Sequence, residues 1–379
     1  MNAIQGFLGW LPLGLPTYLL VMTVIVFFHE LGHFLMARAF GVKVEAFSIG
    51  FGPAIVGWTD RKGTLWKISW IPFGGYVKFY GDLDAASTPD RESIDRMPEG
   101  ERTSTLQLKP LYQRALVAFA GPLANFILAI AIFAIFLMAV GEVTSEGSKI
   151  GDVTKGGPAA IAGLKSGDIV REIDGVRVTT FDQVAKAIHA RGAKPIDFAF
   201  TRSGWSTSLI VHPAPISVPD LTGETIHKIG IGVSPSYDTD NLTYERLGPI
   251  DALGHAVQRV WFIVTTSLTY ISRIVTGHAD TTQLSGPVGI ANITQQVAST
   301  GILNLISLAA FLSVSIGLVN LFPIPILDGG HLLYYGCEAV LGRPLNARAQ
   351  DLGFRLGLAV MLGLMVFATW NDLVRLNLF

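Results

Sequence analysis

Cysteine is almost absent from this 379-residue sequence. Cys337 is the only one, which excludes an intrachain disulfide framework and any metal site built from thiolates. Cys337 itself reads as a small apolar residue. Charge is scarce as well: 15% of residues are charged and the formal net charge is −1, which argues against a nucleic-acid surface. No Lys or Arg precedes Arg38. The first apolar run therefore lacks the positive n-region of a cleavable signal peptide, and no small-residue cleavage site follows it. No long-period internal repeat is present.

What fills the space is apolar: half of all residues, with a mean hydropathy of +0.46, concentrated in blocks. About 20 mostly apolar residues suffice for a spanning helix. Leu11 to Phe28, Ala115 to Val140 and Leu303 to Leu327 qualify, as does Leu356 to Val374, interrupted by Asn371 and Asp372. Val260 to Val275 is too short, bounded by Arg259, Arg273 and His278, and is read as an amphipathic helix on the outer surface. Eleven Lys and Arg residues lie between Arg38 and Arg114, so the positive-inside rule places that segment in the cytoplasm and both termini outside.

Two histidines, a glutamate and an arginine follow the first apolar run directly. His29, Glu30 and His33 form H-E-x-x-H; on a helix the two imidazoles stack at i and i+4 and can share one metal ion. Glu30, one residue round the helix, is the general base for a water. Groups that merely snorkel to the interface would give the same composition, but a carboxylate and two imidazoles there are costly unless paired or ligated. A third protein ligand is needed. Glu45 would require the chain to fold back. Asp328, which closes the third apolar run, is the stronger candidate, with His331 ranked behind it. Pro323 and Pro325 break the helix there, and irregular backbone at membrane depth is tolerated only against protein or a wet cavity. Asn125 and Asn320 are candidates to line that cavity and touch substrate.

The segment from Arg38 to Arg114 contains "TLWKISWIPFGGYVKFYG", whose alternation around Gly74 and Gly75 suits a β-hairpin, with Trp66, Trp70, Phe73 and Tyr76 suited to the bilayer interface. Residues 85–109 read as a flexible loop. From Gly147 the chain reads as strands and short helices, with turn signals at Gly167-Asp168, Asp174-Gly175 and Ser203-Gly204. Pro215 to Gly248 reads as a linker with one strand, "KIGIGV".

Together these motifs resemble the bacterial site-2 proteases, the intramembrane zinc metalloproteases of regulated intramembrane proteolysis, most closely the sigma-E-regulating type. "HELGH" and "NLFPIPILDGGH" match the two zinc motifs, and "GPLANF" matches a segment of the second span. "GGYVKFYG" resembles the membrane-associated β-hairpin of that family. The exported module resembles a PDZ domain, single here where enterobacterial members carry two. The resemblance implies Zn2+ held by His29, His33 and Asp328, with Glu30 catalytic. It also implies substrate contacts from Asn320, Pro323, Pro325, Gly75, Tyr76 and Asn125. Substrates would be single-span membrane proteins such as anti-sigma factors, and remnant signal peptides. The PDZ-like module would take a peptide or protein ligand.

The expected fold is thus an α-helical polytopic membrane protein of four transmembrane helices in the bacterial inner membrane, with a membrane-associated β-hairpin and an inserted α+β PDZ-like domain. The expected boundaries are 1–40 for the first span, 41–111 for hairpin and loop, 112–141 for the second span and 142–215 for the periplasmic module. Linker and amphipathic helix take 216–300, the third span 301–333, and a cytoplasmic loop and fourth span 334–379. The alternative is a membrane-anchored peptide-binding scaffold whose metal site is not catalytic.

Overall fold

A computed structural model describes residues 3–82, 96–219, 225–236, 242–279, 281 and 284–376. The chain divides into two compact units, one of residues 1–133, 253–267 and 281–379 and the other of 134–252 and 268–280.

Among the described residues, four helices are long and apolar enough to cross a membrane: Gly14–Ala39, Leu111–Ala139, Ile302–Asn320 and Arg348–Arg375. At 1.5 Å per residue, even 19 residues extend about 28 Å, close to the hydrocarbon thickness. In the first unit, α1 (Ala3–Ala39) leads into two long strands, β1 (Val44–Thr59) and β2 (Leu65–Phe79). The single turn α2 (Glu99–Arg102) and a 3-10 turn (Leu106–Leu108) stand where a flexible loop was expected, and residues 83–95 lie outside the described set.

The strand reading needs a correction. Residues 65–79 form one bent strand rather than a hairpin turning at Gly74-Gly75, and its partner is β1, across a turn at 60–64. Alternation reveals a half-buried strand but not its partner. Gly74, at φ 88°, supplies the bend. The antiparallel pairing of β1 and β2 also doubles back: Phe47 faces both Val77 and Trp66, and Ile49 faces both Gly75 and Ile68. Both halves of β2 thus flank the first half of β1, and residues 75–79 form an outer edge. This sheet buries Phe47, Val77 and Phe79 against Phe34 of α1. Arg38, at the end of α1, donates to Asp60 at 2.5 Å and to Thr64 at 3.0 Å, tying the sheet's turn to the helix. Trp58, Trp70 and Ile71 on the sheet are exposed, and the side chain of Phe73 lies outside the described set.

Beyond α3 (Leu111–Ala139), the first unit continues through α7 (Pro287–Ser299), α8 (Ile302–Asn320), α9 (Asp328–Leu341) and α10 (Ala347–Arg375). The expected loop after residue 334 is therefore largely helical. Residues 321–327, between α8 and α9, are irregular, as two prolines in seven residues require. Val21 and Ile25 of α1 pack with Leu312 of α8 and Ile290 of α7. The α6 helix (Pro249–Val275) is amphipathic, burying Ala252, Ala256, Val260 and Ile263 while exposing Ile250, Leu253, Val257 and Trp261.

In the second unit, β3 (Glu142–Glu146), β4 (Ile150–Val153), α4 (Pro158–Ala162), β5 (Ile169–Ile173), β6 (Val176–Arg177), α5 (Phe181–Arg191), β7 (Ile196–Arg202) and β8 (Trp205–Val211) follow in order. The main sheet runs β6-β5-β7-β8, all antiparallel, over a core that includes Phe198, Phe200, Val170 and Val184. Asp174-Gly175 and Ser203-Gly204 carry positive φ at both positions, the hairpin geometry that matches strand twist. The buried Asp168 carboxylate accepts from Arg202 Nε at 2.6 Å, Arg202 Nη2 at 2.7 Å and the Lys165 amide at 2.8 Å, so its charge is fully met. The expected linker instead holds β9 (Ala214–Pro219), β10 (Thr225–Gly230), β11 (Val233–Pro235) and β12 (Leu242–Glu245), pairing as β9–β10, β11–β4 and β12–β3.

Asp372, which interrupts the fourth apolar run, is 1% exposed. Its carboxylate accepts the amides of Gly286 at 3.1 Å and Gly289 at 2.7 Å, capping the start of α7 from another helix. A Cβ on Gly289 would lie 2.3 Å from Asp372 Oδ1. We expect Asp372→Ala to destabilise the first unit by about 2–3 kcal/mol, the value of losing charge-assisted bonds to buried amides. Reversible unfolding in mixed micelles measures this; an unchanged midpoint would show that the cap contributes nothing.

Candidate metal centre

The HELGH segment occupies the third-last and second-last turns of α1. There the helical period stacks its histidines: the rings lie 4.9 Å apart at 84°, with Nε2 atoms separated by 3.3 Å. Asp328, the first residue of α9, arrives from 295 positions away. Its Oδ2 is 3.1 Å from His29 Nε2 and its Oδ1 is 3.3 Å from His33 Nε2.

Each imidazole is held at its other nitrogen by α3. His33 Nδ1 donates to the Val117 carbonyl at 2.8 Å, which fixes the tautomer and leaves the Nε2 lone pair facing Asp328. The Asn125 amide nitrogen Nδ2 lies 3.3 Å from His29 Nδ1, and its Oδ1 has no partner among the described residues. Exchanging the two amide atoms would let Oδ1 accept from Nδ1–H and give His29 the same tautomer. Asn125 thus orients a ring.

Three acceptor atoms now face one another in a buried space, and the Asp328 Oδ2 makes no hydrogen bond there. Such an arrangement repels itself unless a proton or a metal cation lies between. Neighbouring ligands of a tetrahedral zinc ion, bonded at about 2.0–2.1 Å, stand roughly 3.3 Å apart. The observed 3.1–3.3 Å separations fit that ion, and two imidazoles with one carboxylate leave a fourth position open.

Close approach of α1 to α3 is what allows this. A Cβ on Gly32 would stand 2.2 Å from the Ala120 carbonyl oxygen, and one on Gly121 would stand 2.2 Å from His33 Nε2. Both glycines sit inside quoted motifs, yet spacing alone does not reveal that they face each other's helices.

The Glu30 carboxylate accepts the Val77 backbone N–H. Gly75 lies beside it, since a Cβ there would be 3.4 Å from Glu30 Cγ. The outer edge of β2 therefore runs along the HExxH turn. Tyr76 faces the other side of the strand, stacked on Phe51 at 5.9 Å. Asn320 is the last residue of α8 and is partly buried; Pro323 is exposed. Pro325 packs on α10, where a Cβ on Gly357 would meet its Cδ at 3.1 Å. His331 stays outside the three-donor group, 6.4 Å ring to ring from Tyr335. Glu45 pairs with Lys78 at 3.0 Å and is no ligand.

The family model for Peptidase family M50 matches residues 17–364. The chain belongs to that family. It is 43% identical to a protein of Agrobacterium fabrum provisionally named a zinc metalloprotease, over 99% of this chain and 100% of that one. Metalloprotease MmpA of Caulobacter vibrioides is 40% identical over 96% of each chain. Among solved structures, the PDZ domain of an SdrC-like protein from Listeria monocytogenes matches 25% of this chain and 92% of its own, at 22% identity and a TM-score of 0.20. The M50 chain is therefore a membrane-bound zinc metalloendopeptidase of the site-2 type, and the scaffold reading gives way.

Gly121→Ala is expected to drive the His33 ring from its position and weaken zinc binding by at least tenfold, as a disturbed ligand support does. Competition with a chromogenic chelator measures it; an affinity equal to wild type would mean that the ring has room to move.

Proposed function

We propose that this M50 peptidase hydrolyses peptide bonds in or beside the membrane-spanning segments of single-span proteins. In this reading His29, His33 and Asp328 hold the zinc ion and Glu30 is the general base. The observation that carries it is the set of three facing donors at 3.1–3.3 Å, with Glu30 between them and an open strand edge.

Bound zinc supplies a Lewis acid that polarises a carbonyl and lowers the pKa of a water. Glu30 takes that water's proton on a carboxylate oxygen and passes it to the departing amine nitrogen. The Val77 amide holds the carboxylate in place meanwhile. A helical substrate hides its carbonyls in i→i−4 bonds, so it must unwind, and its freed backbone groups need partners. No third strand covers residues 75–79 among the described residues. That edge offers those partners by β-augmentation, beside the general base. Asn320, Pro323 and Pro325 would contact the substrate from the broken stretch before Asp328, and Tyr76 from the far face of the strand.

The substrate class, including anti-sigma factors and remnant signal peptides, follows the resemblance of the motifs. So does a PDZ-like role for the second unit, which would take a peptide or protein ligand. Eleven basic residues between Arg38 and Arg114 favour a site on the cytoplasmic side of the bacterial inner membrane, with the PDZ-like unit periplasmic.

Glu30→Gln should retain zinc yet slow cleavage of a single-span reporter in proteoliposomes by at least about 100-fold. Cleavage near the wild-type rate would remove Glu30 from the mechanism. In a Cys337→Ser background, Gly277→Cys should react with an impermeant maleimide from the periplasmic face. Labelling only from the cytoplasm would overturn the topology.

A further inference from the structure

Arg114, in the first turn of α3, places both arms of its guanidinium on Glu338 of α9, with Nη1 to Oε2 at 3.0 Å and Nη2 to Oε1 at 2.5 Å. Its Nε donates to the Lys109 carbonyl at 3.1 Å, and the guanidinium lies 5.1 Å from the centre of the Tyr335 ring. Both charged side chains are mostly buried, at 13% and 17% exposed. Burial pushes the Tyr335 phenol up to about 12, with Arg114 opposing and Asp82, Glu338 and Asp328 adding to it. A neutral phenol thus sits among those charges.

The placement along α9 gives this pair its meaning. Asp328, Tyr335 and Glu338 stand at i, i+7 and i+10, within about 80° of one another around the helix. The face that carries the proposed zinc ligand is the face gripped by Arg114, itself rooted in the helix that orients both histidines. The stretch leading into Asp328 is irregular and cannot transmit a helical register from α8. A helix with its side chains is about 5 Å in radius, so a 20° rotation sweeps its rim by roughly 2 Å. Metal–ligand distances tolerate about 0.2 Å.

We propose that Arg114 and Glu338 are positioning residues that set the rotation of α9 and so hold Asp328 against His29 and His33. This rests on the ligand set proposed above. A bidentate fork suits the task because it fixes orientation as well as distance, which a lysine would not.

The test uses the full chain in detergent, with zinc affinity read by chelator competition, ligand geometry by the visible bands of the cobalt(II)-substituted protein, and folding by the unfolding midpoint of metal-free protein. Arg114→Met/Glu338→Met removes the fork without stranding a buried charge. The expected result is a 10- to 100-fold loss of zinc affinity, shifted cobalt bands and a fall in kcat at little-changed KM, with the metal-free midpoint retained. Glu338→Gln, which keeps shape and weakens the fork, should move the same readouts by about tenfold or less, and it decides the matter if the double variant does not fold. A folded variant of either kind with affinity within about twofold of wild type and an unshifted cobalt spectrum overturns the proposal while leaving the ligand set standing. A wild-type chain that binds no zinc would overturn both.

Discussion

The first unit is built around one electrostatic conflict. Two imidazole nitrogens and a carboxylate turn their lone pairs on one another at 3.1–3.3 Å in a largely buried space. Unrelieved, such a cluster opposes folding. A divalent cation held between the three proposed ligands would turn that repulsion into attraction. The placement of α9 matters because the proposed ligand atoms must match the ion to about 0.2 Å and not merely approach it. Close-packed glycines on α1, α3 and α9 fix the backbones that carry these groups.

The candidate site was more legible than the architecture. His29, Glu30, His33 and Asp328 stand out because polar groups at the ends of apolar runs are rare, and rarity needs no knowledge of neighbours. The four long apolar helices were legible for a similar reason, since length and composition are local properties. Pairings were not. The segment 65–79 alternates as a strand should, yet its partner β1 carries a weaker pattern, and Gly74 bends the strand where a turn was expected. In the stretch of Pro, Gly, Ser and Thr from Pro215 to Gly248 only one strand, overlapping β10, was legible. Strands β9, β11 and β12 read as linker because all are short, and β11 and β12 pair with β4 and β3 far earlier in the chain. Asp372 looked like a defect in a span. Its partners are two backbone amides nearly 90 residues earlier, and no sequence pattern announces an acceptor for another helix's first turn.

The glycines show the same division. Gly32 and Gly121 are visible as members of motifs, but their purpose is contact between two backbones and one imidazole. Gly329 and Gly330 fold the chain tightly onto itself at the start of α9, where added Cβ atoms would meet the carbonyl oxygens of Phe322 and Ile324 at 2.2 and 2.4 Å. Gly357 lets Pro325 rest on α10. Side chains at these places would each open a gap of ångström scale.

That economy follows from the solvent. Between helices in a bilayer, burial supplies little preference for one rotation over another, because lipid is as apolar as the neighbouring helix. Register must come from contacts with direction or with a hard stop. The helices bearing the proposed ligands have both: α1 through Gly32 against α3 and Arg38 on Asp60, α9 through Gly329, Gly330 and the Arg114 fork. A buried ion pair is weak evidence of stability, since its desolvation offsets most of its attraction. Its better justification here is angular, for an apolar contact of the same area would hold α9 as firmly and leave Asp328 free to turn.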